Sequence, residues 1–454
     1  MKKILLYLCI ASLLITNPFV VLAENKDEAS VNQNTENSVD SNNTTESETE
    51  IDPNLIRDKG ILVPTDKGVQ QANQVELNKI NELEDKPLES LTKSYLLGDY
   101  KTGKILEGYN IDEVRPMAST SKLVSIFVVF DKIKDGTIKL DDEITIDHEA
   151  GSLTGSTFKL KEGDKTTVNS LIKASLVVSG NDAITALAKH IAGTTDNFVN
   201  MMNIKCADLG LKNAHMVNPT GLTNYEIEDY NKMTTREMFV LATELIKFYP
   251  EVLTYTNIEK LEDPGRNYID YNTNPILGIV PEIDGLKTGY TNAAGRCVIT
   301  TGVKKGVEGK SKDLRLIGIT TGSRGDMQRF VSIKKLMTNG FENYSYKAIG
   351  NTKEPLRTIE IKDSQDDEIP IYQKEVGYAL LNNDDKLKEI TEINDNLVAP
   401  IEAGSTIGSI SYYINDDLIY KSDLIVKDKV FEKGIINKFK RIFEEIFINI
   451  EDAA

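Results

Sequence analysis

The stretch Arg115-Pro-Met-Ala-Ser-Thr-Ser-Lys-Leu-Val-Ser-Ile-Phe-Val-Val-Phe130 decides how the chain is read. A polar cluster, Ser119-Thr120-Ser121-Lys122, opens an apolar run from Leu123 to Phe130 that reads as a buried helix. Three residues along a helix puts Ser119 and Lys122 on one face, within contact. Burial lowers a lysine pKa because the charged form loses hydration. A helix N-terminus pushes the same way and favours negative charge developing on the serine oxygen. The pair reads as a nucleophile with its own base. Activating a serine near neutral pH needs such a base. The chain has three histidines, His148, His190 and His215, widely separated, and no G-x-S-x-G elbow. Zinc has no His-x-x-x-His or Cys-x-x-Cys pattern to hold it, and no metal or other cofactor is implied.

The motif alone is weak. Ser-x-x-Lys occurs at Ser90, Ser119, Ser156, Ser170 and Ser332, Lys-Thr-Gly at Lys101 and Lys287, and Ser-x-Asn at Ser30, Ser41 and Ser179. Context separates them. Ser30 and Ser41 lie in a polar spacer, and Lys101-Thr102-Gly103 sits in a hairpin turn. Only Ser119 combines a helix start, a long apolar continuation and later partners. Those partners are Ser179-Gly180-Asn181, in a loop between two helical patterns, and Lys287-Thr288-Gly289, just before a β-like run.

Ser-x-x-Lys, then Ser-x-Asn, then Lys-Thr-Gly resembles the motif set of penicillin-binding proteins and class A β-lactamases. The surrounding residues narrow it. "PMASTSK", "VVSGNDA", "NPTGL", "NTNPILG" and "DGLKTGYTNAAG" resemble the low-molecular-weight penicillin-binding proteins that are serine-type D-alanyl-D-alanine carboxypeptidases, as does "APIEAGSTIG" (Ala399–Gly408). The resemblance spans about Ser94 to Val430; Ser121 stands where that family usually has threonine. A class A β-lactamase needs a glutamate that activates the deacylating water, in a Glu-x-x-x-Asn-like segment. "NAHMVNPTGL" has no acid, and neither Glu226 nor Glu228 has an asparagine four residues on.

The resemblance implies roles. Ser119 attacks the carbonyl between the two terminal D-alanines of a peptidoglycan stem peptide, with Lys122 as general base. Ser179 relays a proton to the leaving nitrogen, and Asn181 binds the substrate backbone and helps hold Lys122. Lys287, Thr288 and Gly289 form the substrate-binding edge, with Lys287 and Thr288 toward the terminal carboxylate. Arg329, in "GDMQRF", resembles an arginine that also faces this carboxylate. The backbone N–H groups of Ser119 and Tyr290 form the oxyanion hole. β-Lactams mimic the D-Ala-D-Ala end and acylate Ser119. Two alternatives use the same residues: a D,D-endopeptidase that cuts cross-links, and a scaffold that binds penicillin or peptidoglycan without turnover.

The implied fold is α+β: a penicillin-binding/β-lactamase-like domain, with an antiparallel sheet flanked by helices and a helical subdomain carrying Ser179. The expected organisation is a signal peptide over 1–23, an acidic disordered spacer and lead-in over 24–90, and a catalytic domain over 91–343. A small β-rich domain over 344–430 and an amphipathic helix over 431–454 follow. Lys2 and Lys3 precede an apolar run and a small-residue site ending at Ala23, the pattern of an exported chain. Residues 24–52 are too polar for burial to offset their ordering entropy. In the last segment Ile435, Ile436, Phe439, Ile442, Phe443, Ile446, Phe447 and Ile450 share a helical face, opposite most of its charges. That face suits either docking on the protein or, by its width, a membrane surface; the leader puts the protein outside the cytoplasm, peripheral on the membrane or secreted. The formal charge of −17, more negative by two once Lys2 and Lys3 leave, repels nucleic acid. Cys206 and Cys297 read as two free, buried thiols.

Overall fold

The computed structural model describes residues 56–57, 60–65, 68–71, 74–435 and Phe439. The expected signal peptide, the spacer over 24–52 and nearly all of the terminal amphipathic helix lie outside the described residues. Among the described residues, no helix is long and apolar enough to cross a membrane.

Five strands make the central sheet: β1 (Ser94–Asp99), β2 (Ile105–Tyr109), β3 (Ile283–Thr291), β4 (Gly295–Lys304) and β5 (Leu314–Ser323). Their order is β3-β4-β5-β1-β2, antiparallel throughout. The expected hairpin is β1–β2, with Lys101-Thr102-Gly103 at its turn and Asp99 Oδ2 accepting from Thr102 N–H at 2.8 Å. That second Lys-Thr-Gly is thereby turn chemistry.

Seven helices matter for the site: α1 (Gln74–Glu84), α2 (Lys122–Lys134), α3 (Val168–Val177), α4 (Asn181–Ala192), α5 (Thr195–Asp208), α6 (Thr235–Phe248) and α7 (Asp326–Asn343). Both faces of the sheet are covered. Leu96, Ile299, Ile317 and Ile319 pack toward the core that holds Phe127 and Phe130 of α2 and Phe239 of α6. Leu97, Val298 and Leu316 pack toward Phe330, Ile333 and Met337 of α7. Double coverage explains why β1 reads as a continuous buried run instead of an alternating one. α3 and α4 flank the Ser179 loop, the helix–loop–helix that the apolar spacing predicts.

The folded unit starts upstream of Leu91. Ile80 of α1 is 6% exposed and joins the α7 core, as do Leu88 and Leu91. Lys334 on α7 pairs with Glu84 at 2.7 Å. Leu77 and Leu83 pack against the same core from either side of Ile80.

Strand Tyr344–Ile349 (β6) follows α7 directly and opens the β-rich region. There β7 (Arg357–Ile359), β8 (Ile369–Gln373), β10 (Lys388–Ile393), β11 (Thr406–Ile414) and β12 (Asp417–Val426) form a sheet of order β7-β8-β12-β11-β10. β6 pairs on one side with β9 (Gly377–Asn382) and on the other with Ser311–Lys312, just before β5. Tyr346 on β6 donates to Asp99 Oδ2 at 2.6 Å. These contacts tie the β-rich region to the central sheet. Asn415 and Asp416 both have positive φ and join β11 to β12, as a two-residue hairpin turn requires.

Thr234 caps α6. Its Oγ1 accepts from Glu237 N–H at 3.1 Å, and Glu237 Oε2 accepts from Thr234 N–H at 2.9 Å, a complete capping box. Thr234→Ala should cost about 1 kcal/mol. The measurement is the thermal midpoint, which should drop by about 1–2 °C while acylation per folded molecule is retained.

Candidate active site

Ser119 does not stand on α2 itself. It lies in a 3-10 turn, Ala118–Ser121, that leads into α2, whose first residue is Lys122. The tighter turn eclipses residues three apart, so the pair faces one way more closely than an α-helix would arrange it. Lys122 Nζ lies 2.9 Å from Ser119 Oγ. It also donates to Asn181 Oδ1 at 2.8 Å and to the Thr220 carbonyl at 2.7 Å. The lysine has no exposed surface. Burial pulls its pKa down to about 7, against a smaller upward pull from Asp182.

The Thr220 carbonyl left no sign in the sequence beyond a turn. In Asn218-Pro219-Thr220-Gly221-Leu222, Asn218 Oδ1 accepts from Thr220 N–H at 3.1 Å and Gly221 N–H at 2.7 Å. That Asx turn aims the carbonyl at Lys122 and Ser119. Gly221 has φ +87°, and a Cβ there would run into the Ala118 carbonyl. Asn231 fixes the same region: it donates to Ser121 Oγ at 2.8 Å, and its Oδ1 accepts from Val217 N–H at 2.7 Å.

Ser179 has φ +61°, a strained backbone for a serine, and is 4% exposed on the cleft wall. Asn181, at the start of α4, donates through Nδ2 to the Thr154 carbonyl at 2.9 Å, which turns its Oδ1 toward Lys122. Asp182 accepts from Phe158 N–H at 2.9 Å and Leu160 N–H at 3.0 Å, and so holds the loop that packs over α4.

Strand β3 closes the other side. A Cβ on Gly289 would fall 2.8 Å from Ser119 N and 2.9 Å from Thr120 N. The third motif therefore ends in glycine because β3 crosses the Ser119 turn with no room for a side chain. Ser119, Ser179, Asn181, Thr288, Tyr290 and Arg329 line one cleft of about 310 Å³. Lys287 is 1% exposed and donates to its neighbour's carbonyl, Thr288 O, at 2.9 Å. Burial, then the charges of Lys122 and Arg329, hold its amine well below the usual lysine range. Tyr290 contributes more than backbone: its ring lies under the Arg296 guanidinium, 3.6 Å from centroid to carbon. Sequence reasoning missed Arg296 and Asp326, which also line the cleft.

The remaining candidates fall away. Ser90, Ser170 and Ser332 do not line the cleft; Ser156 does, but its partner Lys159 points to solvent. None of the three histidines lines it. Cys206 and Cys297 are free and buried.

A serine hydroxyl beside a buried amine, facing an open sheet edge, defines a serine hydrolase of the penicillin-binding fold. A family profile described as D-alanyl-D-alanine carboxypeptidase matches residues 81–312, and one described as penicillin-binding protein 5, C-terminal domain, matches residues 344–432. The D-alanyl-D-alanine carboxypeptidase DacF of Bacillus subtilis is 28% identical over 355 residues, covering 77% of this chain and 88% of the relative. The crystal structure of penicillin binding protein 5 from Haemophilus influenzae superimposes with a TM-score of 0.56 at 27% identity, covering 75% of this chain and 98% of that one. A D-alanyl-D-alanine endopeptidase of Escherichia coli matches a shorter stretch, 27% identical over 212 residues, 45% of this chain and 65% of its own. The chain belongs to the D-alanyl-D-alanine carboxypeptidase family.

Gly289→Ala tests the close crossing of β3. The added methyl should push the strand off the Ser119 turn and slow acylation by a fluorescent penicillin at least tenfold. The thermal midpoint should fall by a few degrees, with the protein still folded at the assay temperature.

Proposed function

We propose that this chain removes the terminal D-alanine from peptidoglycan stem peptides through an acyl-enzyme on Ser119. The observation that carries the reading is the buried Lys122 amine, 2.9 Å from the Ser119 hydroxyl. A neutral amine has two N–H donors and one lone pair. The Thr220 carbonyl and Asn181 Oδ1 only accept, so they take the two donors. The lone pair is left for the Ser119 proton.

Ser119 Oγ then attacks the carbonyl carbon of the penultimate D-alanine while its proton moves to Lys122. The oxyanion is met by the backbone N–H groups of Ser119 and Tyr290, donors worth roughly 3 kcal/mol each in comparable sites. The C–N bond breaks as the nitrogen gains a proton, from Lys122 through Ser179, and D-alanine leaves. Water hydrolyses the acyl-enzyme by the reverse route. Thr288 and Arg329 meet the terminal carboxylate. Lys287 supports them: an arriving anion favours its protonated form. β-Lactams enter the same cleft and acylate Ser119. The leader pattern of residues 1–23 supports export, and the apolar face over 435–450 supports a peripheral seat on the outer side of the cytoplasmic membrane.

D-Alanine release from a soluble peptide ending in D-Ala-D-Ala measures the reaction. Ser119→Ala should abolish it, and Lys122→Ala should lower acylation by about 10²–10⁴-fold, the usual worth of a positioned base. A folded, penicillin-labelled wild type that releases no D-alanine would refute the carboxypeptidase reading.

The base must be unprotonated, so its pKa sets the acid limb. Acylation should climb tenfold per pH unit below about 7, where Lys122 carries its proton, and level off above. A limb still rising at pH 9 would show that Lys122 keeps an ordinary lysine pKa and would remove burial as the means by which it is made neutral.

A further inference from the structure

Three charged side chains share the cleft wall, and the reaction above uses one of them. Asp326, the first residue of α7, puts Oδ1 2.8 Å from Arg329 Nη2 and Oδ2 3.0 Å from Arg296 Nε. The three side chains are between 5% and 10% exposed. Arg296 lies on β4, directly across from Tyr290 on β3, with its guanidinium flat over the tyrosine ring. One carboxylate therefore ties two elements together. One arm reaches Arg329 on α7; the other reaches, through Arg296, the strand pair that carries Tyr290.

We infer that Asp326 is a positioning residue: its two oxygens fix Arg329 for the substrate's terminal carboxylate and, through Arg296, fix the Tyr290 end of β3. The inference rests on the function proposed above. Its physical basis is the freedom of an arginine. A guanidinium on a long stem finds one orientation only when a partner of matching geometry holds it. A misplacement of about 1 Å in such a site can cost 10²-fold in rate. Charge points the same way. Arg296 and Arg329 side by side would repel each other, and Asp326 between them leaves the trio with one net positive charge. That matches a single carboxylate. Asp326 also faces the cleft as an anion, so a second negative group on the ligand would be repelled.

The alternative is that Asp326 merely holds α7 in place. The two roles separate on ligands that differ only at the carboxylate. Second-order acylation rates are measured for a fluorescent penicillin and for its carboxyl methyl ester, with wild type, Asp326→Asn and Arg296→Gln, each checked for folding by its thermal midpoint. Wild type should prefer the free acid. Asp326→Asn should slow the free acid tenfold or more and the ester several-fold less, so the preference shrinks. Arg296→Gln should slow both compounds by one factor and keep the preference, because its arm serves Tyr290. If Asp326→Asn does not fold, Asp326→Glu takes its place; its longer arm displaces both guanidiniums, and the same loss of preference is expected. A folded position-326 variant that keeps the wild-type preference, through equal loss or no loss, overturns the inference and leaves the proposed function standing. A folded wild type acylated by neither compound overturns the penicillin-binding function and the inference with it.

Discussion

Lys122 is a lysine with no exposed surface, and the rest of the site is arranged around that fact. A charged ammonium there would have to give up its hydration, and burial shifts the balance toward the neutral amine. The shift from an ordinary lysine to about 7 corresponds to on the order of 5 kcal/mol against the charged form. The amine still needs partners for its N–H groups, since an unmet buried donor is costly. They come from two places distant in sequence, the Asn181 side chain and the Thr220 carbonyl. The Ser-x-Asn loop and the Asn-Pro-Thr-Gly turn must therefore both close on α2 before the Lys122 amine has its partners. Asp182, one residue past Asn181, limits the fall in pKa and holds the 158–160 loop by its backbone.

That dependence explains why the sheet is covered on both sides. α2 can bury a lysine only if its whole surround is packed. Phe127 and Phe130 on the same helix stack and edge against Tyr249 beyond the end of α6. The sheet supplies the floor beneath, and α7 supports it from behind. α7 in turn presents Asp326 and Arg329 at its N-terminal end. One helix thus both stiffens the sheet and delivers charge to the cleft.

What was legible in the sequence follows from where chemistry is written in side chains. Ser119, Lys122, Ser179, Asn181 and Lys287-Thr288-Gly289 stand out by residue type and order, and Ser119, Ser179, Asn181, Thr288 and Gly289 do line one cleft, with Lys122 in contact with Ser119. The capped helix at Thr234 and the β1–β2 turn follow from local propensity. The Thr220 carbonyl was illegible because every residue has one, and only a turn's geometry makes this one matter. Arg296 and Asp326 were illegible because their pairing joins β4 to α7 across a fold that sequence spacing does not encode. Lys287 shows a subtler gap. Its position in the motif is plain, but its burial, which suppresses its charge, is set by the packing of elements distant in sequence.

The last constraint is the sheet edge itself. β3 ends the sheet order, so one side of its backbone has no strand partner in that sheet. An exposed edge normally invites any extended chain to pair with it. Here β3 is mostly buried, with Tyr290 the exposed residue near its end. The Ser119 turn and the Ser179–Asn181 loop crowd the edge and leave only a narrow cleft beside it. The edge can still add a short peptide as a further strand, which is how extended ligands are commonly held. Recessing it excludes a second sheet while admitting a stem peptide end. The glycine at 289 is the condition for that arrangement, since any larger residue would move the edge away from the serine it serves.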